Sequence, residues 1–546
     1  MKLIDKSERH LKLLSLAILL LLAAPVWAQS DQTVPLKDGP AFLAWMQQHH
    51  KAPFNRPGPV ASQAVSKASQ AVAVASQTRT PQAPNASPGH IFRNVKVNQD
   101  RNPWAKAGIA SAVDASDAKN WVVMSTDYRV NFPRMFYHVS TDGGNSWTDD
   151  LLVEGSDPYI GAIPLTYQAN PGLSFDHAGN SFLSALSVNS IVDFNNNYVN
   201  SDSEVDVVQG YAHGTYSSDL PTLIDAQSCS GMIFGPSTCN GTLSQPMNST
   251  DANANSPDAG TNYVYYSFFC NLPTGSCTDG TATIPSFGSA ILESHSPAAG
   301  EPFSTPALVS GSLVNAQYSY MVIDPSGTPH IFFDDYTNAP LVKMWESTLT
   351  GGVWTVSKNP VASFVYTGYN ALQNPNWSFN ASGGAMPGCG IHGYTAYCAF
   401  SATQVAGGNA ESTPSVYLAS VNLTTGASRV TRVNNDPFNH MKDHFFAWAT
   451  ATPEGAVYVG WYDDRNDPTN TNVEYFVGKS FDEGRTFPIQ KAVSDVPFNP
   501  CNGIPGCAYF GDYTQLASGP DGVVHAAWSD TRDGVSMQLW SQTVLF

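Results

Sequence analysis

Along residues 91–546 the polar and apolar positions fall into a repeating unit. A short apolar strand is followed by a tight turn, a second apolar strand, a corner of the form Asp-x-Arg, and a third strand. Four segments show the second strand and its corner: Val122–Arg129, His330–Tyr336, Val457–Arg465 and Val523–Arg532. The tight turns before three of them are Asp324-Pro325-Ser326-Gly327, Pro453-Glu454-Gly455 and Pro520-Asp521-Gly522, while the first has Asp114-Ala115-Ser116-Asp117. Asp can cap the turn amides and Gly supplies positive φ, so these are strand-reversal signals with a mechanism. Second strands are predicted at 121–125, 181–186, 263–269, 330–333, 395–400, 457–461 and 523–528.

A second motif follows the third strand. Ser140-Thr141-Asp142-Gly143-Gly144-Asn145-Ser146-Trp147 fits S-x-D-x-G-x-x-W, and Ser480-Phe481-Asp482-Glu483-Gly484-Arg485-Thr486-Phe487 repeats it with Phe for Trp. Both copies stand at the same place in their units. The motif resembles the Asp-box, or BNR, hairpin of the sialidase-like β-propellers, with Ser140, Asp142, Gly144 and Trp147, and Ser480, Asp482, Gly484 and Phe487, in its structural positions. Repeats of this size are what stacked propeller blades produce. The expected fold is therefore an all-β propeller of seven blades, with six as the alternative because residues 190–260 are irregular. The last blade lacks an outermost strand. Ile91–Val97 is strand-like and is expected to supply it, closing the ring and hiding a sheet edge.

Successive turns of a meander lie at opposite ends. The Asp-x-Arg corners, between strands two and three, thus share one face with the inter-blade connections, and the Asp-box turns lie on the other. The resemblance places function on the Asp-x-Arg face. Two long connections open there, 434–444 and 497–513, carrying His440, Lys442, Asp443, His444, Tyr509, Asp512 and Tyr513. A sialidase clamps its substrate carboxylate with three arginine forks. Arg129, Arg465 and Arg532 are the candidates for that clamp. Asp127, Asp463 and Asp530 are candidate acid/base groups, and Tyr336 and Tyr513 candidate nucleophiles. The early F/Y-R-I-P motif of that family is absent, and Ile91-Phe92-Arg93-Asn94 departs from it at the last two residues. Recurrence of Asp-x-Arg at one blade position also fits a repeated packing pair, which leaves no catalytic role for these residues.

Composition narrows the partners. The chain has 546 residues, a formal net charge of −18 and only 13% charged residues, against about 25% in an average soluble protein. An acidic surface excludes a phosphate backbone as partner, and with it nucleic acid. The apolar share of 42% and aromatic share of 11% exclude disorder for most of the chain. Lys2, Lys6, Arg9 and Lys12, then the apolar run 13–24 and Val26-Trp27-Ala28, have the layout of a cleaved export signal over 1–28. Residues 29–90, rich in Ala, Ser, Gln and Pro, read as a linker or pro-region, and 91–546 as the propeller. No other stretch is long and apolar enough to span a membrane, so the mature chain is expected to be soluble, secreted and monomeric.

The eight cysteines fall into close pairs, Cys229/Cys239, Cys270/Cys277, Cys389/Cys398 and Cys501/Cys507. In an exported chain these read as short disulfide clips. No C-x-x-C spacing supports zinc. Residues 193–197 with Asp202, Glu204 and Asp206 gather oxygen ligands suited to Ca²⁺, but they lack the Gly and terminal Glu of an EF-hand loop, and no cofactor is expected. The functional expectation is binding or hydrolysis of extracellular glycans in the manner of an exo-glycosidase. The alternative is a non-catalytic propeller that holds a protein or cell-surface partner.

Overall fold

The structure, a computed structural model, describes residues 93–546 apart from 130–132, 153–166, 194–197, 212–214, 217–221, 232–240, 271, 273, 366–371, 375–376, 378, 380–386, 503–506, 508–509 and 512–513. The signal and linker segments thus lie outside the described residues. Among those described, every regular element is a strand, and no helix is long and apolar enough to cross a membrane.

The strands form antiparallel sheets in chain order, numbered here first to seventh. The first contains Lys106–Val113, Trp121–Asp127, Arg134–Ser140 and Thr148–Leu151. The second contains Tyr167–Phe175, Ser181–Asp193, Tyr198–Tyr211 and Thr222–Gly231, and the third Thr242–Thr250, Asn262–Phe269, Ser289–Ser296 and Ala307–Leu308. The fourth contains Ala316–Ile323, Pro329–Asn338, Leu341–Thr350 and Ala362–Val365, with short edge strands added. Gly388–His392, Thr395–Ala402, Ser415–Asn422 and Ser428–Arg432 make the fifth, and His444–Ala451, Val457–Asp463, Glu474–Ser480 and Ile489–Ala492 the sixth. The seventh contains Gln515–Ser518, Val524–Asp530 and Gln538–Val544, with Val95–Lys96 paired on its outer edge. A separate hairpin, Ser276–Asp279 and Ala282–Pro285, is clipped by Cys270–Cys277.

The inner strand of each sheet contacts the inner strand of the next, and the seventh returns to the first. This is the arrangement of a β-propeller. The sandwiched position explains the sequence pattern. Second strands such as Trp121–Asp127, Val457–Asp463 and Val524–Asp530 are buried along their whole length, whereas the outer strand Thr148–Leu151 is largely exposed. A strand covered on both faces reads as a continuous apolar run.

The two Ser-x-Asp turns have one geometry. Ser140 Oγ donates to Asp142 Oδ1 at 2.8 Å and accepts the Gly144 amide at 2.8 Å, while Asp142 Oδ1 accepts the Ser146 amide at 2.9 Å. Ser480, Asp482, Gly484 and Thr486 repeat these contacts at 2.8, 2.9 and 2.9 Å. Gly144 has φ +89°, and a Cβ there would lie 2.7 Å from the Trp121 ring. Trp147 packs edge-on against the same ring at 4.7 Å, and Phe487 is equally buried in its own sheet.

Cys270–Cys277, Cys389–Cys398 and Cys501–Cys507 are bonded as neighbour pairs. Cys239 and residues 194–197 fall outside the described residues, as do the side chains of Cys229, Asp193, Asp202, Glu204 and Asp206. Among the described residues no group of three or more His, Cys, Asp or Glu is placed to hold a metal ion.

Candidate functional site

At the Asp-x-Arg corners, the aspartate amide-capping geometry and the guanidinium fork act together. Asp127 Oδ1 accepts the Arg129 amide at 2.7 Å and Oδ2 accepts Arg129 Nε at 2.8 Å. Asp463 and Arg465 repeat this at 2.8 and 2.7 Å, and Asp530 and Arg532 at 2.7 and 2.8 Å. The rest of each fork reaches an acid delivered by the preceding sheet. Arg129 meets Asp100, just past Val95–Lys96, at 3.3 Å, and Asp149 of its own sheet at 2.6 Å. Arg465 meets Asp436, past the fifth sheet's outer strand, at 3.5 Å, and Arg532 meets Asp495, past the sixth sheet's outer strand. Each arginine therefore latches one sheet to the next.

These latches are buried. Asp127, Asp463 and Asp530 are essentially inaccessible, and the arginine side chains are 14%, 13% and 6% exposed. Burial raises the carboxyl of Asp530 above its usual range despite the opposing pull of Arg532. Burial also works against the Arg532 charge, but Asp530 and Asp495 outweigh it. Two further cations enter from the inner strands. Lys106 lies opposite Asp127 and bonds Asp100 at 3.0 Å. His444 lies opposite Asp463, 3.5 Å from it and 3.3 Å from Asp436. Burial disfavours its charge, yet Asp463 and Asp436 hold its pKa above the ordinary value. Sequence reasoning missed Lys106, Asp100, Asp436 and Asp495. For Asp100 and Asp436 the signal was the repeat of Val97-Asn98-Gln99-Asp100 in Val433-Asn434-Asn435-Asp436, each just past an outer strand.

The fourth corner corrects the alignment read from sequence. Asp334-x-Tyr336 looks like the Asp-x-Arg variant, but the strand pairing, bulged at the same place as in the first sheet, puts Asp335 and not Asp334 at the corner. Ala316 lies opposite Asp335, as Lys106 lies opposite Asp127, and the Thr337 amide bonds Asp335 Oδ1 at 3.0 Å. Asp335 is thus the corner aspartate, and Tyr336 stands where the first sheet has Tyr128. Tyr336 packs its ring 5.9 Å from Tyr318. Tyr513, Tyr509 and Asp512 lie outside the described residues.

A different pair of carboxyls comes together on this face. Asp443 immediately precedes the sixth inner strand, and Asp464 follows the second strand of that sheet. The Asp443 amide donates to Asp464 Oδ1 at 2.8 Å, and the Gln373 amide donates to Asp443 Oδ2 at 2.7 Å. The remaining oxygens, Asp443 Oδ1 and Asp464 Oδ2, are buried and have no hydrogen-bond partner among the described residues. Burial and the neighbouring Asp464 push the Asp443 carboxyl up to about 8. Burial pushes Asp464 up to about 7. Two carboxyls so placed hold a proton near neutral pH, the condition for general acid and base work. Gln373 thus lies against Asp443, and further along the chain Trp377 packs against Phe445 at 6.1 Å and Phe379 against Phe510 at 5.5 Å. Trp104 and Phe438 are exposed on connections of the same face. Asp464 was hidden in the sequence as the middle residue of an Asp-x-Arg corner.

The opposite end of the axis holds a cavity of about 820 Å³. All seven inner strands line it, together with turns such as Asp324-Pro325 and Gly519-Pro520, and among the described residues that line it there is no Lys or Arg.

No protein-family model and no curated protein matches the chain. Solved structures do. A Hadza microbial sialidase, Hz136, is 11% identical, with 76% of this chain and 73% of that one covered at a TM-score of 0.37. A GH93 α-L-arabinofuranosidase of Fusarium graminearum in complex with arabinobiose is 11% identical, with 83% and 97% covered at 0.41. The NanB sialidase from Streptococcus pneumoniae is 10% identical, with 83% and 70% covered at 0.38. At these values the fold assignment rests on the chain's own sheet order, and the site on its own geometry.

Proposed function

We propose that the chain is an exported seven-bladed propeller, closed by pairing of Val95–Lys96 on the seventh sheet, that binds and hydrolyses neutral extracellular glycans on its Asp-x-Arg face. The observation that carries this reading is the Asp443–Asp464 pair. Glycoside hydrolysis uses two carboxyl groups, one protonated and one ionised. Here the pair holds its proton near neutral pH, with Asp443 the stronger holder. Asp443 then protonates the leaving oxygen while Asp464 acts as the base, and the coupled pair titrates as a unit. Substrate reaches these groups only when the Gln373 segment lifts, and exposed Trp104 and Phe438 offer faces for sugar stacking.

Neutral sugars are favoured because the three arginine forks are filled by carboxylates of the chain itself. A substrate carboxylate would have to displace Asp495 from Arg532 or Asp436 from Arg465. The ring of seven inner strands in cyclic contact supports the blade count, and the described disulfides support an oxidising compartment.

The test is sugar release from a panel of neutral and sialylated oligosaccharides by the wild type, Asp443→Asn and Asp464→Asn. The reading predicts release from a neutral substrate and a loss of about 10²–10⁴ in kcat for either variant, the range for a positioned acid or base. Full activity in both variants removes the pair from catalysis. Tight binding without release by any protein makes the propeller a binding module.

A further inference from the structure

The fourth sheet lacks what neutralises the acids of its sisters. Where the first and sixth sheets place Lys106 and His444 opposite the corner aspartate, the fourth places Ala316. Where the first, sixth and seventh place arginine two residues later, the fourth has Thr337. Yet this sheet carries a second acid, Asp334, one residue before the corner. Thr126, Tyr462 and Ser529 hold that position in the first, sixth and seventh sheets, all uncharged.

Asp334 is 0% exposed, and among the described residues neither of its carboxyl oxygens has a hydrogen-bond partner. Its neighbours across the sheet are Gln317 on the inner strand and Met344 on the third strand. Gln317 is also buried, and its Oε1 has no partner either. Three buried acceptor oxygens thus belong to one cross-strand pair, and among the described residues none of them meets a donor. The inner strand is bent there by a bulge at Tyr318, held at φ +53°. The ring of Tyr318 packs against Tyr336 beside it. A buried acceptor left unmatched is destabilising, the more so for a charge, so native structures rarely leave one without a partner.

We propose that Asp334 and Gln317 form a site for a bare monovalent cation, of the size of Na⁺ or K⁺, whose remaining coordination comes from backbone and water oxygens. One carboxylate and one amide oxygen offset a single positive charge. Ca²⁺ takes six to eight oxygens and usually several carboxylates, which this place does not offer. Without the ion, burial and the adjacent Asp335 drive Asp334 far above the ordinary carboxyl range, so it carries a proton instead. Ion and proton therefore compete, and ion binding releases a proton. The titratable groups around it are Asp335, on the opposite strand face, and Lys343, which pairs with Asp335 on the third strand.

The test is thermal melting of the full mature protein in NaCl, KCl, CaCl₂ or choline chloride at matched ionic strength, at mildly acidic and mildly alkaline pH. Na⁺ or K⁺ at about a hundredfold over Kd raises the melting temperature by roughly 3 °C relative to choline. The rise shrinks at acidic pH. Asp334→Asn, an isosteric and uncharged change, abolishes it, and Gln317→Leu weakens it. Calorimetry in buffers of different ionisation enthalpy shows proton release on ion binding to the wild type alone. Equal melting in choline and alkali salts, a response to Ca²⁺ only, or an unchanged response in Asp334→Asn overturns the proposal.

Discussion

Replacing Arg532 with alanine separates a structural latch from a substrate clamp. In the native protein Arg532 is 6% exposed and Asp530 is fully buried. Nε lies 2.8 Å from Asp530 Oδ2, Nη2 3.0 Å from Asn94 Oδ1, and the guanidinium 4.1 Å above the Trp540 ring. Removing it leaves the Asp530 carboxylate with its turn amide and Trp528 Nε1 at 3.2 Å. Breaking a buried pair in this way costs about 3–5 kcal/mol. Unfolding entropy of about 2.1 cal/mol/K per residue over roughly 450 residues gives about 0.95 kcal/mol/K, so the melting temperature falls by about 3–5 °C. Arg485→Ala is the control, because Arg485 and its partner Glu483 are 60% and 65% exposed. It shifts the melt by less than about 1 °C. Calorimetry reads both variants, and glycan affinity is measured well below either melt. A variant Arg532→Ala that melts with the wild type but loses glycan binding would refute the latch and restore the clamp.

Three further outcomes follow from the geometry. Gly144→Ala forces a Cβ against Trp121 and costs about 1–3 kcal/mol by overpacking, whereas Gly143, with open space around its Cβ position, loses mainly its backbone freedom; urea melts of the two variants rank them. The folded pKa values of Asp443 and Asp464, about 8 and 7, lie above the unfolded value near 4. The folded state then binds more protons across this window, so their contribution to stability is greatest below about pH 4 and is lost as pH rises to about 8. Melting temperature should therefore fall from mildly acidic to mildly alkaline pH, and Asp443→Asn should flatten the slope; an unchanged slope contradicts the assigned shift. At the acid end the sign reverses: Asp467 and Asp482 are depressed to about 2 by hydrogen bonds that overcome their desolvation, so their contribution is lost as pH falls below about 4, and Asp482→Asn reduces that acid sensitivity.

The second strands were legible because both of their faces are covered. Runs such as Val457–Trp461 have no alternation to misread, and six of the seven predicted runs fall within an observed second strand, while the seventh, 523–528, starts one residue before Val524–Asp530. The Ser-x-Asp turns were legible because their chemistry is local. What failed was register. Asp334 and Asp335 are adjacent acids, and only the bulge at Tyr318 decides which of them faces the inner-strand corner position. Bulges beside left-handed residues also occur at Gly108, Asn170, Gln245 and Phe446, and only the glycine announces itself in sequence. The irregular stretch after residue 190 hides the end of Ser181–Asp193 and the whole of Tyr198–Tyr211. The Asp443–Asp464 pair was out of reach for another reason. Its members are 21 residues apart, and its cover, Gln373, arrives from a third segment.

The measurement that bears most directly on the account is a crystal structure of the protein soaked with the neutral oligosaccharide it releases or binds best. The account predicts a sugar ring on the Asp-x-Arg face, its glycosidic oxygen within hydrogen-bond reach of Asp443, the Gln373 segment displaced, and Arg129, Arg465 and Arg532 still paired with Asp100, Asp436 and Asp495. A sugar seated in the cavity at the opposite end of the axis, or held by arginines freed from those aspartates, would contradict it.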